Sequence, residues 1–562
     1  MFFSLLATGL LAADDGSLLD RHIENKAKAN RVVLAPLAND SEFLRRVTLD
    51  LTGRLPDPAT ARRFLADPDP AKRDRYIDSL FPPLPAPGMR FVADQPFLHR
   101  WTYFFDDLFR NGELLEEGIN TFHDHIYKSL MLNRPYDSFV RELITATAVS
   151  TWSSGAANFI ARSHVFEGDG YQMNHEDTAD EIAINTARLF LGVSLECISC
   201  HDGAGHLEKV NLWLARQKRV SFWRQASFFG KTYISPVFGR SPQFLVDDSR
   251  GGYNLTTRSS LRPPRRAGAD VTPTFILTEE RLPEGVPARE AYARMLTSHA
   301  QFARAAVNLF VTELMGQGFI DSPFEFDLAR QDPKNPPPAP WTIQPTHPEL
   351  LDELAAEFRA RKYDLRWLMR TIVASRAYQR AIANSPAGHD GYFAARSTRR
   401  LSAEMLFDAI DQVAGLTPAY KVTFSDKKVP AILQTRSPQD IDKSDRDLFR
   451  ILQAFGQCDR YAIEADRKPT MVQAAMMLND KLIRQRLTVQ KEGRLAKLLA
   501  AKTEPEKIVE ELHLAALSRF PSAKESAAGV ALLASQRQAS HSQEGAEDLL
   551  WVIVNRLDFL FY

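Results

Sequence analysis

The sequence predicts a mainly α-helical, multi-helical protein of two domains joined by a short extended or β connector. Three observations carry that expectation. Apolar residues recur at helical spacing through most of the chain, and residues that start and stop helices bracket those runs. One stretch, residues 236–286, breaks the pattern with Gly, Pro, Thr and short apolar runs. At 562 residues the chain exceeds one ordinary core. The expected organisation is a signal segment over 1–13, an N-terminal helical domain over 14–235, the connector over 236–286, and a C-terminal helical domain over 287–562.

The elements follow in order. Ser41 to Leu51 places Phe43, Leu44, Val47 and Leu51 at helical spacing, with Ser41 as cap and Arg45, Arg46 and Asp50 on the other face. Gly53 and Pro56 stop that helix. Asp57 caps the next one, with Pro58 in its first turn, and Asp67-Pro68-Asp69-Pro70 ends it. Further helices are expected at Phe97–Arg110, Thr121–Leu132 and Tyr136–Thr147. Glu176 to Leu191 reads as an amphipathic helix whose first-turn acids, Glu176 and Asp177, suit the positive end of the dipole, and Gly192 stops it. An aromatic-rich helix is expected over Val220–Phe229. In the connector, Arg262, Arg265 and Arg266 read as a solvated basic face. The second half resumes with helices at Ala288–Leu296, Gln301–Met315, Pro348–Arg361, Leu365–Ala374, Ala403–Val413, Pro505–Leu517 and Ala546–Phe561. His347 reads as part of a helix entry, Arg399-Arg400 as ion-pair partners of Glu404, and Asn335–Trp341 as an extended proline-rich insert.

Composition excludes some functions. Lys+Arg and Asp+Glu are equal at 70 each, so no global field draws nucleic acid or an anionic membrane. Three cysteines are too few for a disulfide-stapled scaffold. The opening MFFSLLATGLLAADD has an apolar run from Phe2 to Leu11, small residues at Ala12-Ala13 and an acidic turn at Asp14-Asp15. That is the pattern of a secretory h-region and cleavage site, here without a positive n-region. The expected location is therefore the periplasm or outside the cell. No other stretch approaches the roughly 20 apolar residues needed to span a bilayer. No Ser-His-Asp arrangement, phosphate loop, HExxH or dinucleotide fingerprint is present.

The strong chemical signature is Cys197-Ile198-Ser199-Cys200-His201. In a c-type haem site, Cys197 and Cys200 form thioethers to the porphyrin vinyl groups and His201 is the proximal iron ligand. A second axial ligand would be Met or His, and Met173, His175 and His206 are nearest in sequence. Two other readings stay open. Cys197, Cys200 and His206 with His201, His175 or His164 could surround zinc, or Cys197 and Cys200 could close a small disulfide. The haem reading implies an exported redox or electron-transfer protein with a redox or cell-envelope partner. The others imply a non-redox envelope binding or scaffold protein. Asp202 reads as a turn former behind the motif, and Cys458 as a small buried residue.

Several strings together resemble a known architecture. SEFLRRVTLDLTGRLPDPATARRFLADPDPAKRDRYIDSL, NRPYDSFVRELITA and LGVSLECISCHDG are similar to the first member of the planctomycete-type cytochrome-associated domain pair. HAQFARAAVNLFVTELMGQGFIDSP, THPELLDELAAEFRARKYDLRWLMRTIVASRAYQR and RRLSAEMLFDAID resemble the second. The resemblance implies an exported protein of Planctomycetes, Acidobacteria or relatives, built from two domains of unknown function.

Overall fold

The capping chemistry of the sequence sets the helix ends. Asp57 accepts the Thr60 N–H at 2.9 Å and Pro58 opens the helix Pro58–Ala66. Gly192, in the left-handed region at φ 66°, closes the helix His175–Leu191. A computed structural model describes residues 17–85, 95–167, 172–235, 241–259, 261–383, 390–461, 465–534 and 539–562. The expected signal segment, 1–13, lies outside the described residues. Among those residues, 27 α-helical segments stand against four two-stranded antiparallel ribbons, so the chain is mainly α and multi-helical. No described helix is long and apolar enough to cross a membrane.

Two apolar cores organise the helices. The first gathers residues from Leu19 to Phe393 together with Leu514, and so runs on both sides of the 236–286 segment. The second gathers Leu401 to Tyr562 with Leu49, Leu55 and Tyr103. The helix Asp40–Thr52 feeds both, through Phe43, Leu44, Val47 and Leu51 on one side and Leu49 on the other.

That shared position overturns the expectation for its polar residues. Every residue from Phe43 to Thr52 is buried, Arg45, Arg46 and Asp50 included. Its cap is Asn39, whose side chain accepts the Glu42 N–H at 3.0 Å and the Ser41 hydroxyl at 2.7 Å, so Ser41 lies inside the first turn. Among the described residues in and beside the connector, the strands form two short ribbons, Thr232–Ile234 with Leu245–Asp247 and Thr274–Phe275 with Glu280–Arg281. The aromatic segment forms the helix Arg219–Ala226 followed by a 3-10 turn, Ser227–Phe229. The last expected helix divides into Ala539–Val554 and Leu557–Leu560.

Candidate functional site

The thiol-bearing turn grows out of the buried helix His175–Leu191. After the stop at Gly192, a five-residue helix, Glu196–Cys200, carries both cysteines. Spaced three apart on one turn, their thiols share a face. Neither is in a disulfide; Cys197 is exposed and Cys200 half-buried. Partial burial, with Glu196 close by, lifts the Cys197 thiol above its ordinary range. His201 leaves the helix in an extended conformation, φ −149° and ψ 168°. Its Nδ1 stands 2.8 Å from the Asp202 carbonyl oxygen. A carbonyl only accepts, so Nδ1 carries the proton and the neutral ring keeps its lone pair on Nε2, the arrangement metal-ligating histidines favour.

Of the expected ligands, the structure brings His206 to His201, with ring centroids 4.6 Å apart. The others are engaged elsewhere. Met173 pairs with Phe166 in a ribbon and packs on the first core. His175 Nε2 lies 2.7 Å from the Gly230 carbonyl. His164 Nδ1 lies 2.7 Å from the Ala161 carbonyl, its ring against Phe166. Among the described residues no group of three or more His, Cys, Asp or Glu is disposed to hold a metal ion. The donor set that this turn presents is thus two unbonded thiols and an imidazole whose Nδ1 proton is held by a backbone carbonyl.

The connector holds this turn from behind, which the sequence reading missed. Arg262 donates from Nε to Ser199 Oγ at 2.9 Å and from Nη2 to Glu181 at 2.6 Å. Arg219 donates from Nε to the Ser199 carbonyl at 2.8 Å, while its backbone N–H goes to Asp202 Oδ1 at 2.7 Å. Arg265, its side chain 1% exposed, meets Asp177 Oδ1 at 2.8 Å and Asp180 Oδ2 at 2.7 Å. Tyr253 donates to Asp180 at 2.6 Å, Ser259 to Asp177 at 2.7 Å, and the Asn254 N–H to Glu176 at 2.9 Å. Arg262 and Arg265 are thus buried clamps, and only Arg266 keeps the solvated role expected of all three. The first-turn acids Glu176 and Asp177 likewise serve as docking points in addition to suiting the helix dipole.

A second polar feature also escaped the sequence reading. Where the N- and C-terminal regions meet, a cavity of about 270 Å³ is lined by Arg100, Asp107, Glu313, Glu404 and Arg467. Arg100 and Arg467 bind Glu313, the latter at 3.0 Å; although burial opposes it, Arg467 and Arg100 hold this carboxyl down at about 2. Burial pushes Asp107 up to about 7 against the pull of Arg460, 2.6 Å away. Glu404 takes the Tyr103 hydroxyl at 3.4 Å. Arg400 does not pair with it as expected: its guanidinium binds the carbonyls of Leu401, Phe455 and Asp466. Cys458, buried in the same wall, accepts the Arg460 N–H, and burial pushes its thiol to about 12. Residues so far apart in sequence give no local signal. His347 does stand at the entry of the helix Pro348–Ala360, as expected.

The fold and the thiol-bearing turn define a mainly α protein of two successive regions, with a CxxCH turn near the end of the first. Residues 18–213 match the family described as PSCyt2, protein of unknown function (DUF1549). Residues 288–533 match PSD1, protein of unknown function (DUF1553). The chain thus carries an N-terminal and a C-terminal domain of unknown function as a pair. Arg219, Arg262 and Arg265 fall between the two matches. No curated protein and no solved structure matches the chain.

Proposed function

We propose that the chain carries a c-type haem on Cys197 and Cys200, with His201 as the proximal iron ligand, and serves electron transfer outside the cytoplasm. One observation carries this reading. Two unbonded thiols share a face of one surface turn, and the next residue is an imidazole whose Nδ1 is held by a backbone carbonyl. In the attachment each S–H adds across a vinyl C=C, forming one thioether without an added oxidant. When bound, the haem supplies one-electron iron chemistry. The protein's own part is ligation and orientation. The Asp202 carbonyl fixes the His201 tautomer, and Arg219 and Arg262 hold Ser199 between the two cysteines. Export accompanies this reading because covalent haem attachment takes place outside the cytoplasm, and a redox or cell-envelope protein is then the partner.

The test is expression in a host that attaches haem covalently in its periplasm, followed by acid-acetone extraction and a pyridine haemochrome spectrum. The expected result is a Soret band that survives extraction and is lost in Cys197→Ser/Cys200→Ser. A colourless protein from that host overturns the proposal. One zinc per chain would then favour the metal clip, and a mass lower by two hydrogens the disulfide, each pointing to a non-redox envelope protein.

A further inference from the structure

The helix Asp40–Thr52 buries two adjacent guanidiniums, Arg45 and Arg46, which are 5% and 1% exposed. Arg45 donates to the carbonyls of Ala516 at 2.5 Å and Phe559 at 2.7 Å. Arg46 donates to those of Tyr378 at 3.0 Å and Arg380 at 2.8 Å. Nε of Arg45 and both Nε and Nη2 of Arg46 have no acceptor. Among the described residues neither guanidinium has a carboxylate within ion-pair distance. Asp50, one turn along the same helix, is committed to other groups: the hydroxyls of Tyr378 and Tyr562 at 2.7 and 2.8 Å, and Arg396 and Arg399 at 3.3 and 3.4 Å.

Both arginines line a cavity of about 500 Å³. Another part of its wall is apolar, made by Leu517, Ile382, Leu557 and Phe561. Ile382 and Leu557, 39% and 73% exposed, mark the open side. Of the two acids that line it, Asp558 is held by Arg519 and Arg556, and Glu42 is exposed in the first turn of the helix. The contrast with the seam cavity is direct. There Glu313 and Asp107 each touch a guanidinium, whereas here the acids that act on the two buried cations, Asp558 on Arg45 and Asp50 and Glu42 on Arg46, stay beyond ion-pair distance.

A buried cation with no carboxylate in contact is unfavourable, and guanidinium geometry suits a carboxylate in particular. A small inorganic anion would leave the apolar wall wet, and a neutral lipid would bring no carboxylate into contact with either guanidinium. We infer that this cavity binds a monoanionic amphiphile, its carboxylate facing Arg45 and Arg46 and its apolar body lying along Leu517, Leu557 and Phe561. Burial lowers the Arg45 guanidinium only to about 10, so it stays a cation at neutral pH.

Titration calorimetry on the full chain tests this with decanoate, decanol and acetate, each below its aggregation limit. Decanoate should bind saturably at one site, with decanol and acetate at least tenfold weaker. Arg45→Met should weaken decanoate at least tenfold. Leu557→Glu, at an exposed position, should do the same while leaving the circular dichroism spectrum unchanged, and it decides the matter if Arg45→Met does not fold. Absence of saturable decanoate binding, decanol binding as tight as decanoate, or unchanged affinity in Leu557→Glu overturns the inference.

Discussion

Replacing Arg265 by Met keeps much of the aliphatic stem and removes the guanidinium that faces Asp177 and Asp180. These three side chains are 1%, 0% and 1% exposed, so the variant leaves two buried carboxylates without their cation. Breaking a buried pair in this way costs about 3–5 kcal/mol. The charge is relieved by proton uptake. Burial already pushes Asp180 up to about 6, and loss of Arg265 moves it higher. A raised carboxyl pKa means that the folded state holds a proton that the unfolded state, with its ordinary value of 3.8, has released. Stability is therefore fully present below about pH 4 and falls as pH rises toward the folded value, by about 1.4 kcal/mol per unit at most. The variant should lose more at pH 8 than at pH 5. Urea unfolding followed by far-ultraviolet circular dichroism at both pH values reads the difference. Asp180→Asn added to the variant should recover part of the loss. A loss below about 1 kcal/mol at pH 8, or equal losses at both pH values, would refute the reasoning.

Two more predictions concern backbone and acid. A Cβ on Gly203 would sit 1.9 Å from the Leu214 carbonyl oxygen, a backbone atom with little room to yield. Gly203→Ala should therefore cost about 1–3 kcal/mol and displace the turn behind the thiols; a lower thermal midpoint and a changed rate of Cys197 alkylation are expected, and wild-type values for both would count against it. Burial, with Lys26 and His22 nearby, pushes His347 down to about 3, so between pH 6.5 and 3 the unfolded chain binds a proton that the folded one refuses. Stability then falls with acidification by up to about 1.4 kcal/mol per unit, and His347→Gln should flatten that limb of a stability–pH curve.

The sequence reveals what is local. Asp57-Pro58, Gly192 and the acid-rich start at Glu176-Asp177 act within one turn of their own position, and each sits at or near the helix end it signals. The CxxCH spacing is equally local, and so is the one-turn helix that realises it. The polar residues behave otherwise. Helical periodicity sends Arg45, Arg46 and Asp50 to solvent because they alternate with Phe43, Leu44 and Val47. From Phe43 onward the helix is instead covered on all sides, and its guanidiniums reach carbonyls at residues 378, 380, 516 and 559. Nothing near residue 45 encodes those acceptors. The connector shows the same limit: Arg262 and Arg265 turn inward onto acids some 80 residues earlier, while Arg266 beside them stays outside.

These inward arginines give the connector a definite task. Docking a charged loop onto Glu176, Asp177, Asp180 and Glu181 places four acids of one helix under a covering layer, and Asp177 and Asp180 need a cation to be tolerated there. The same loop reaches Ser199 through Arg262, so the contacts that neutralise the helix also position the cysteine turn. Residues 300–330 brace the other side. Gln301 donates to the Leu191 carbonyl at 2.8 Å, the Phe326 N–H to that of Gly192 at 2.9 Å, and Asp327 accepts the backbone N–H groups of Leu212 and Trp213 at 2.8 and 3.0 Å. The turn that displays the thiols is therefore held by three parts of the chain. Contacts from both family-matched regions thus brace the segments on either side of it, while Cys197 on its outer face stays exposed.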